Sequence, residues 1–280
     1  MNLRKKQRTK PLITCLIKRT EQKMSTAFTF RIESENGEKT VTLSNDGLKK
    51  SRIFSRCYLF KYGFDKDLNP ALRAKFIERI KFPKKEDEKT VDAFVRNAVD
   101  TLHETIDLYE FDTVVFPQSK SGVNTKMLAY LDMYNHPYYS VFEVVKKLPA
   151  EIEFDYKKFR IEVLDDVFEE GGRIKRRYSE KEKAQMLSKM EKLMSEIHEK
   201  DYFSIARDFN SKSKYRKYLK NFYKFKNGDE AEEFRNLLKP RILLIDDVMT
   251  SGTTLSFIFK TIRALNPEAE IVVFTLIGKE

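Results

Sequence analysis

Cysteine and histidine are scarce in this chain: Cys15, Cys57, His103, His136 and His198 are the full set among 280 residues. The two cysteines match no metal or redox spacing, and no two histidines stand an i, i+4 step apart. A structural metal is therefore not expected, and a reduced, cytoplasmic protein is. Long apolar runs are also missing. Crossing a bilayer takes ~20 such residues, whereas the best stretch near the start, residues 12–17, is short and broken by Thr14 and Cys15. Neither a membrane anchor nor a secretory signal is expected. Acidic residues are nearly absent from the first 23 positions, where Glu21 opposes eight basic side chains. That segment carries +7 of the formal +11 and leaves +4 for the rest. Such a tail reads as an arm for nucleic acid, through counterion release, or as a solvated terminus, the simpler reading. Translation beginning at Met24 would remove it. Internal repeats, low-complexity tracts and Ser/His/Asp or Cys/His sets for covalent catalysis are all lacking.

What is present suits a soluble α/β protein. A composition of 41% hydrophobic and 35% charged residues over this length supports a sizeable core. Residues 27–44 alternate as strands do, with Asn36-Gly37 as a hairpin turn. Residues 52–82 are aromatic-rich and carry only a weak signal. Residues 90–108 repeat apolar positions at helical spacing and lead into the β-branched run 113–116, a buried strand. A helix over 124–135 and a strand over 139–145 follow. This alternation predicts a parallel sheet. A long interruption spans residues 149–238. Within it Ser179 and Glu182 form a capping box, ahead of a helix burying Met186, Leu187, Met190, Leu193, Met194 and Ile197. Residues 215–225 interleave aromatic and basic side chains, which predicts an amphipathic helix over the core in preference to a base-stacking surface. After Pro240, a strand over 241–245, a helix over 253–265 and a last strand over 271–276 complete the pattern.

The segment from Ile242 to Leu255 carries the chemistry. An apolar strand ends in Asp246 and Asp247, then turns through Thr250, Ser251, Gly252, Thr253 and Thr254 into a helix. Free amides at a helix start favour an anion, the hydroxyls add donors, and Gly252 permits close backbone approach. The two acids can accept hydrogen bonds from a sugar diol. A phosphate and a diol at this separation describe a ribose 5-phosphate. The segment contains neither a P-loop nor a dinucleotide fingerprint, and capping alone is a poor explanation for two adjacent acids followed by five small residues. This reading demands an open crevice above the acids and the turn.

The segment resembles the 5-phosphoribosyl-1-pyrophosphate (PRPP) motif of the type I phosphoribosyltransferases: four apolar residues, two acids, two mostly apolar residues and a Thr/Gly-rich loop. The resemblance covers residues 238–280 strongly and 90–148 more loosely. It implies a parallel-sheet α/β phosphoribosyltransferase fold carrying a long, mainly helical insertion and an N-terminal extension. The corresponding domains are a basic tail (1–23), an N-terminal extension of hairpin and mixed segment in the place of a hood (24–85) and the core (86–280), interrupted by the insertion. Asp246 and Asp247 would then hold the ribose hydroxyls, and Thr250, Ser251, Gly252, Thr253 and Thr254 the 5-phosphate. Ser119, Lys120, Ser121 and Gly122, in the loop after the strand 113–116, would meet the pyrophosphate. Asp246, Asp247 and Lys120 are the catalytic candidates. Lys146 and Lys147, or the basic turn 171–177, are candidates for a closing loop.

The resemblance also implies displacement of pyrophosphate from C1 of PRPP by a nitrogenous base or amine. Mg²⁺ would arrive on the substrate, with no direct protein metal site, and catalysis would rest on positioning and electrostatics. Thr250 stands where 6-oxopurine enzymes carry an acid near the base, so hypoxanthine or guanine salvage is disfavoured. The loop is more similar to orotate, amido or competence-associated members, while the insertion departs from all of them. Two other readings keep the same fold: a non-catalytic PRPP- or nucleotide-sensing module associated with nucleic acid, and an effector of a conflict system. The candidate partners are PRPP, a small-molecule acceptor and a second copy of the chain in a homodimer, with nucleic acid at the tail a weaker candidate.

Overall fold

The computed structural model describes residues 27–34, 37–44, 49–50, 57–61, 70–132, 140–165, 167–168, 174–176, 178–203, 209, 215–220, 222–249 and 252–278. The basic tail, Thr250 and Ser251 lie outside these residues. The strands are β1 (Ala27–Ser34), β2 (Gly37–Ser44), β3 (Lys49–Lys50), β4 (Cys57–Lys61), β5 (Thr113–Pro117), β6 (Ser140–Lys146), β7 (Glu153–Phe154), β8 (Val167–Phe168), β9 (Ile174–Arg176), β10 (Leu219–Lys220), β11 (Tyr223–Phe225), β12 (Arg241–Met249) and β13 (Glu270–Gly278). The helices are α1 (Pro70–Lys81), α2 (Glu88–Thr105), α3 (Val123–Asp132), α4 (Tyr156–Phe159), α5 (Glu180–His198), α6 (Gly228–Asn236) and α7 (Thr253–Leu265).

The central sheet runs β11-β6-β5-β12-β13-β4-β3. Its five inner strands are parallel, and the short strands at both edges are antiparallel. The expected mixed α/β fold with a mostly parallel sheet is thus present. The sheet carries two apolar layers because alternate residues of a strand face opposite sides. On β12, Leu243 and Ile245 join the layer built by α1, α2 and α3, where Phe76, Ile80, Val95, Val99 and Met127 are fully enclosed. Ile242 and Leu244 join the opposite layer, with Leu255, Ile258 and Ile262 of α7 and the residues of the insertion. Strands covered on both faces read as continuous apolar runs, which is why β5 and β12 were visible in the sequence.

Element boundaries follow the expectations closely around α2, β5, α3, β6, α7 and β13. The capping box of α5 forms as expected: Glu182 N donates to Ser179 Oγ at 3.3 Å and Ser179 N to Glu182 Oε2 at 2.8 Å. In α5 Met190, Met194 and Ile197 are buried, with Met186, Leu187 and Leu193 packed at the margin. The hairpin of β1 and β2 also forms, with Ser34 opposite Gly37, so Gly37 pairs within the ladder instead of turning.

Two expectations are corrected. Residues 215–225 form no amphipathic helix; a short helical turn gives way to β10, paired with β7, and β11, paired with β6. The physical cause is the open edge of β6, whose unpaired backbone groups need a partner, together with bulky aromatics that pack well on a pleated surface. Tyr218, Phe222, Tyr223 and Phe225 are all buried there. Second, β12 does not end at the acids. It runs on to Met249, with Val248 opposite Ile277 and Met249 opposite Gly278.

The region expected as an N-terminal extension shares the sheet: β4 lies parallel beside β13, from Cys57 opposite Val273 to Lys61 opposite Gly278. The C-terminal ends of β4, β5, β12 and β13 therefore open at one end of the sheet, where α/β folds place ligands. The insertion is clamped to the other edge by Phe234 of α6, which stands edge-on to Phe142 of β6 (centroids 5.3 Å apart) and tilted against Phe225 of β11 (4.7 Å). Truncating this fully buried ring, Phe234→Ala, should destabilise the protein by about 3–5 kcal/mol. The exposed Phe82→Ala should cost less than about 0.5 kcal/mol. Chemical denaturation of both variants checks the difference, and equal losses would show that Phe234 does not anchor this edge.

Candidate active site

Period-two alternation separates the adjacent acids of β12. Asp247 follows Leu243 and Ile245 toward the α1 layer, while Asp246 follows Ile242 and Leu244 toward the α7 layer. The two carboxylates consequently meet different surroundings.

Asp247 is only 2% exposed and is held by three side chains from two other segments. Ser119 Oγ and Ser121 Oγ donate to Oδ2 at 3.1 and 3.0 Å, and Lys81 Nζ reaches Oδ1 at 2.8 Å. A buried carboxylate stays ionised only with such partners, and each charge-assisted hydrogen bond is worth ~1.5–3 kcal/mol. The loop after β5 is shaped for this contact. Ser119 and Ser121 hydroxyls lie 2.9 Å apart, Ser121 N donates to Ser119 Oγ at 3.2 Å, and Val123 N donates to Ser121 Oγ at 3.3 Å. Gly122 takes a left-handed φ of 67° that turns the chain into α3, a conformation that suits glycine. Lys120, between the two serines, is exposed.

Asp246 has a different balance. Its Oδ1 accepts the Asp247 amide at 2.9 Å. Burial, and then the negative charge of Asp247, push its carboxyl up to about 7, against the opposing pull of Lys81, the amide and Lys146. On this side Tyr223 is buried, with Thr254 near its hydroxyl. Burial raises its phenol well above the ordinary value, and the neighbouring acids add to the rise. Lys146 lies with its ammonium 5.9 Å from the centre of the Tyr202 ring. Of the expected 5-phosphate turn, Gly252 is described, buried, with a left-handed φ of 69°, and it starts α7. Thr253 and Thr254 form the first turn, which carries no acidic side chain. A helix start of this kind favours an anion.

The sequence-predicted residues thus converge. Asp247, Ser119 and Ser121 touch although 126 and 128 positions separate them. Lys120 makes no contact with either acid, and the basic turn 171–177 is described only over β9. Both acids are nearly enclosed, at 5% and 2% exposed, and at Asp247 the enclosing groups are Lys81, Ser119 and Ser121; the crevice expected above them adjoins residues 250 and 251, which lie outside the described residues. A cavity of about 410 Å³ opens elsewhere, lined by Lys147, Tyr223, Lys226, Thr261 and neighbours; neither acid is in its wall. Lys81 and Tyr223 were not foreseen. A lone lysine ending a helix and an aromatic inside a mixed run carry no local mark.

No protein-family model matches the chain, and no curated protein matches it. Among solved structures it is similar to a purine phosphoribosyltransferase from Pyrococcus horikoshii Ot3, at 11% identity and a TM-score of 0.30, over 67% of this chain and 84% of that one. It is also similar to the adenine phosphoribosyl transferase of Trypanosoma brucei, which is in complex with AMP, pyrophosphate and ribose-5-phosphate. There the identity is 11% and the TM-score 0.34, over 83% of this chain and 87% of the other. Both neighbours are phosphoribosyltransferases. Among the described residues no helix is long and apolar enough to cross a membrane.

The raised Asp246 carboxyl makes stability depend on pH. Between the ordinary carboxylate value and about 7, the folded chain holds a proton that the unfolded chain has lost. The associated stability is complete in acid and drains away as pH rises through about 7. Asp246→Asn removes the buried charge but keeps an oxygen for the Asp247 amide. Thermal melts should therefore show the variant above wild type at about pH 8.5, with the gap narrowing toward about pH 5. A gap independent of pH would contradict the assignment.

Proposed function

We propose that this protein is a Mg²⁺-dependent phosphoribosyltransferase, moving the 5-phosphoribosyl group of PRPP to a nitrogenous base or amine and releasing pyrophosphate. The observation that carries the reading is the meeting of Ser119 and Ser121 with Asp247. Two segments read separately, one for pyrophosphate and one for a ribose diol, come together at the carboxyl end of a parallel sheet. In this arrangement Asp246 and Asp247 accept hydrogen bonds from the ribose hydroxyls. Residues 250–254, at the entry to α7, hold the 5-phosphate. The turn Ser119, Lys120, Ser121 and Gly122 faces the pyrophosphate.

The chemistry asks the protein mainly to hold and to neutralise. The C1–O bond to pyrophosphate breaks with its electron pair leaving on oxygen, a bond forms from the acceptor nitrogen to C1, and the acceptor's N–H proton passes to solvent. Hard oxygen donors at Asp246, Asp247, Ser119 and Ser121 suit a magnesium ion brought by the substrate. Lys81 takes Asp247 Oδ1, which favours a magnesium ion carried in by the substrate. When bound to pyrophosphate, Mg²⁺ supplies neutralisation of the leaving group. The chain's own groups fix the ribose and orient C1.

Mixing the protein with PRPP, Mg²⁺ and a panel of bases and amines, and following pyrophosphate release, tests the reading. Release with one acceptor class is expected. Calorimetric binding of PRPP without turnover would assign the sensing alternative instead, and absence of binding would defeat both. Asp247→Asn should lower PRPP affinity more than about 100-fold while the circular-dichroism spectrum stays native. Unchanged affinity would place the ribose elsewhere.

A further inference from the structure

We propose that Lys81 belongs to the same site as a substrate-contacting residue: the cation that leaves the Asp247 carboxylate for the pyrophosphate when substrate binds. The inference rests on the phosphoribosyl reading and adds to it a group from outside both motifs.

The anchoring of Lys81 decides between a lid and a resident cation. It is the last residue of α1, whose Phe76 and Ile80 are fully enclosed in the core. Arg79, two residues earlier, pairs with Asp87 at 2.9 Å and Glu86 at 3.5 Å. The backbone at this point is therefore fixed, and α1 is not built to swing clear. The flexible part is the lysine stem, whose side chain is 30% exposed and whose ammonium is a point charge on rotatable bonds. When a ligand is admitted, the ammonium changes partner and stays in the site.

A suitable new partner lies one carboxylate away. Asp247 bridges Lys81 on Oδ1 to Ser119 and Ser121 on Oδ2, and those serines belong to the turn read as the pyrophosphate cradle. Ribose hydroxyls arriving at Asp247 offer it neutral donors in place of the ammonium. The displaced ammonium then faces the most anionic part of the ligand, with which it forms charge-assisted hydrogen bonds. As the C1–O bond breaks, negative charge grows on the departing oxygen beside it, and Lys81 stabilises that charge without gaining or losing a proton. Lys120, exposed at the turn, has no comparable hold on the site.

Calorimetry with Mg²⁺ and either PRPP or ribose 5-phosphate, on wild type, Lys81→Met and Lys81→Arg, tests this. Lys81→Met should weaken PRPP by about 10- to 100-fold, yet bind ribose 5-phosphate as well as wild type or better, since Asp247 is released. Lys81→Arg should recover most of the PRPP affinity. Equal PRPP affinity in Lys81→Met, or an equal loss of both ligands, would overturn the assignment; the equal loss marks a residue that only positions Asp247. Wild type binding neither ligand would defeat the PRPP reading, and Lys81 with it. Should Lys81→Met not fold, Lys81→Gln carries the same comparison.

Discussion

A carboxylate enclosed in protein must be neutralised by whatever folds around it, and at Asp247 this requirement gathers three stretches of chain. The acid comes from β12, the hydroxyls from the loop after β5, and the ammonium from the end of α1. No two of these are neighbours in sequence. Leaving any partner out would strand a buried charge, with a penalty of ~3–5 kcal/mol when an ion pair is broken from one side. The geometry at the end of the sheet is therefore over-determined: the contacts that stabilise the folded chain also line up the groups that a phosphorylated sugar would meet.

Sheet order makes the convergence possible. With β5 and β4 lying on either side of the β12-β13 pair, the loops that follow all emerge on one side. Parallel pairing is the essential feature, because antiparallel neighbours would send alternate loops to opposite ends. The placement of β4 next to β13 draws the N-terminal region into this arrangement. The next described element is α1, whose last residue, 166 positions before Asp247, arrives beside the acid. The insertion works from the opposite edge. It completes the sheet with β11 and buries Tyr223 near Thr254 and the two acids.

What was legible in the sequence follows from the range of the forces involved. The strands β5 and β12 and the helices α2, α5 and α7 announce themselves through apolar period, capping residues or β-branched runs, all of which act within a few residues. The motif at Asp246 and Asp247 was legible because its strand, acids and helix start are contiguous. Lys81 was not, being one of 54 basic residues with nothing local to distinguish an ammonium aimed at an acid from one in solvent. The stretch 215–225 misled for a related reason. Its aromatics alternate with basic residues closely enough to satisfy a helical face, and only the unpaired edge of β6, set by distant residues, made two short strands the better solution.

The dipeptide Asp246-Asp247 shows how far one strand position can change a side chain's physics. Opposite faces of the pleat give the two acids opposite fates: among the described residues one acquires a cation and two hydroxyls, while the other accepts its neighbour's amide and meets its neighbour's charge. Both are needed if a diol is to be gripped from two sides, but only the second is expensive, since among the described residues no counter-ion touches its buried charge. A stability optimum would replace it, and function is the usual reason that such a group persists. Its strain is relieved when hydroxyl donors arrive. A ribose diol placed over the strand end would supply the hydrogen bonds that Asp246 lacks and draw its proton affinity down. On the proposed reading, ligand binding at this site would release the proton that burial retained, and the desolvation that weakens the fold would strengthen its hold on a sugar.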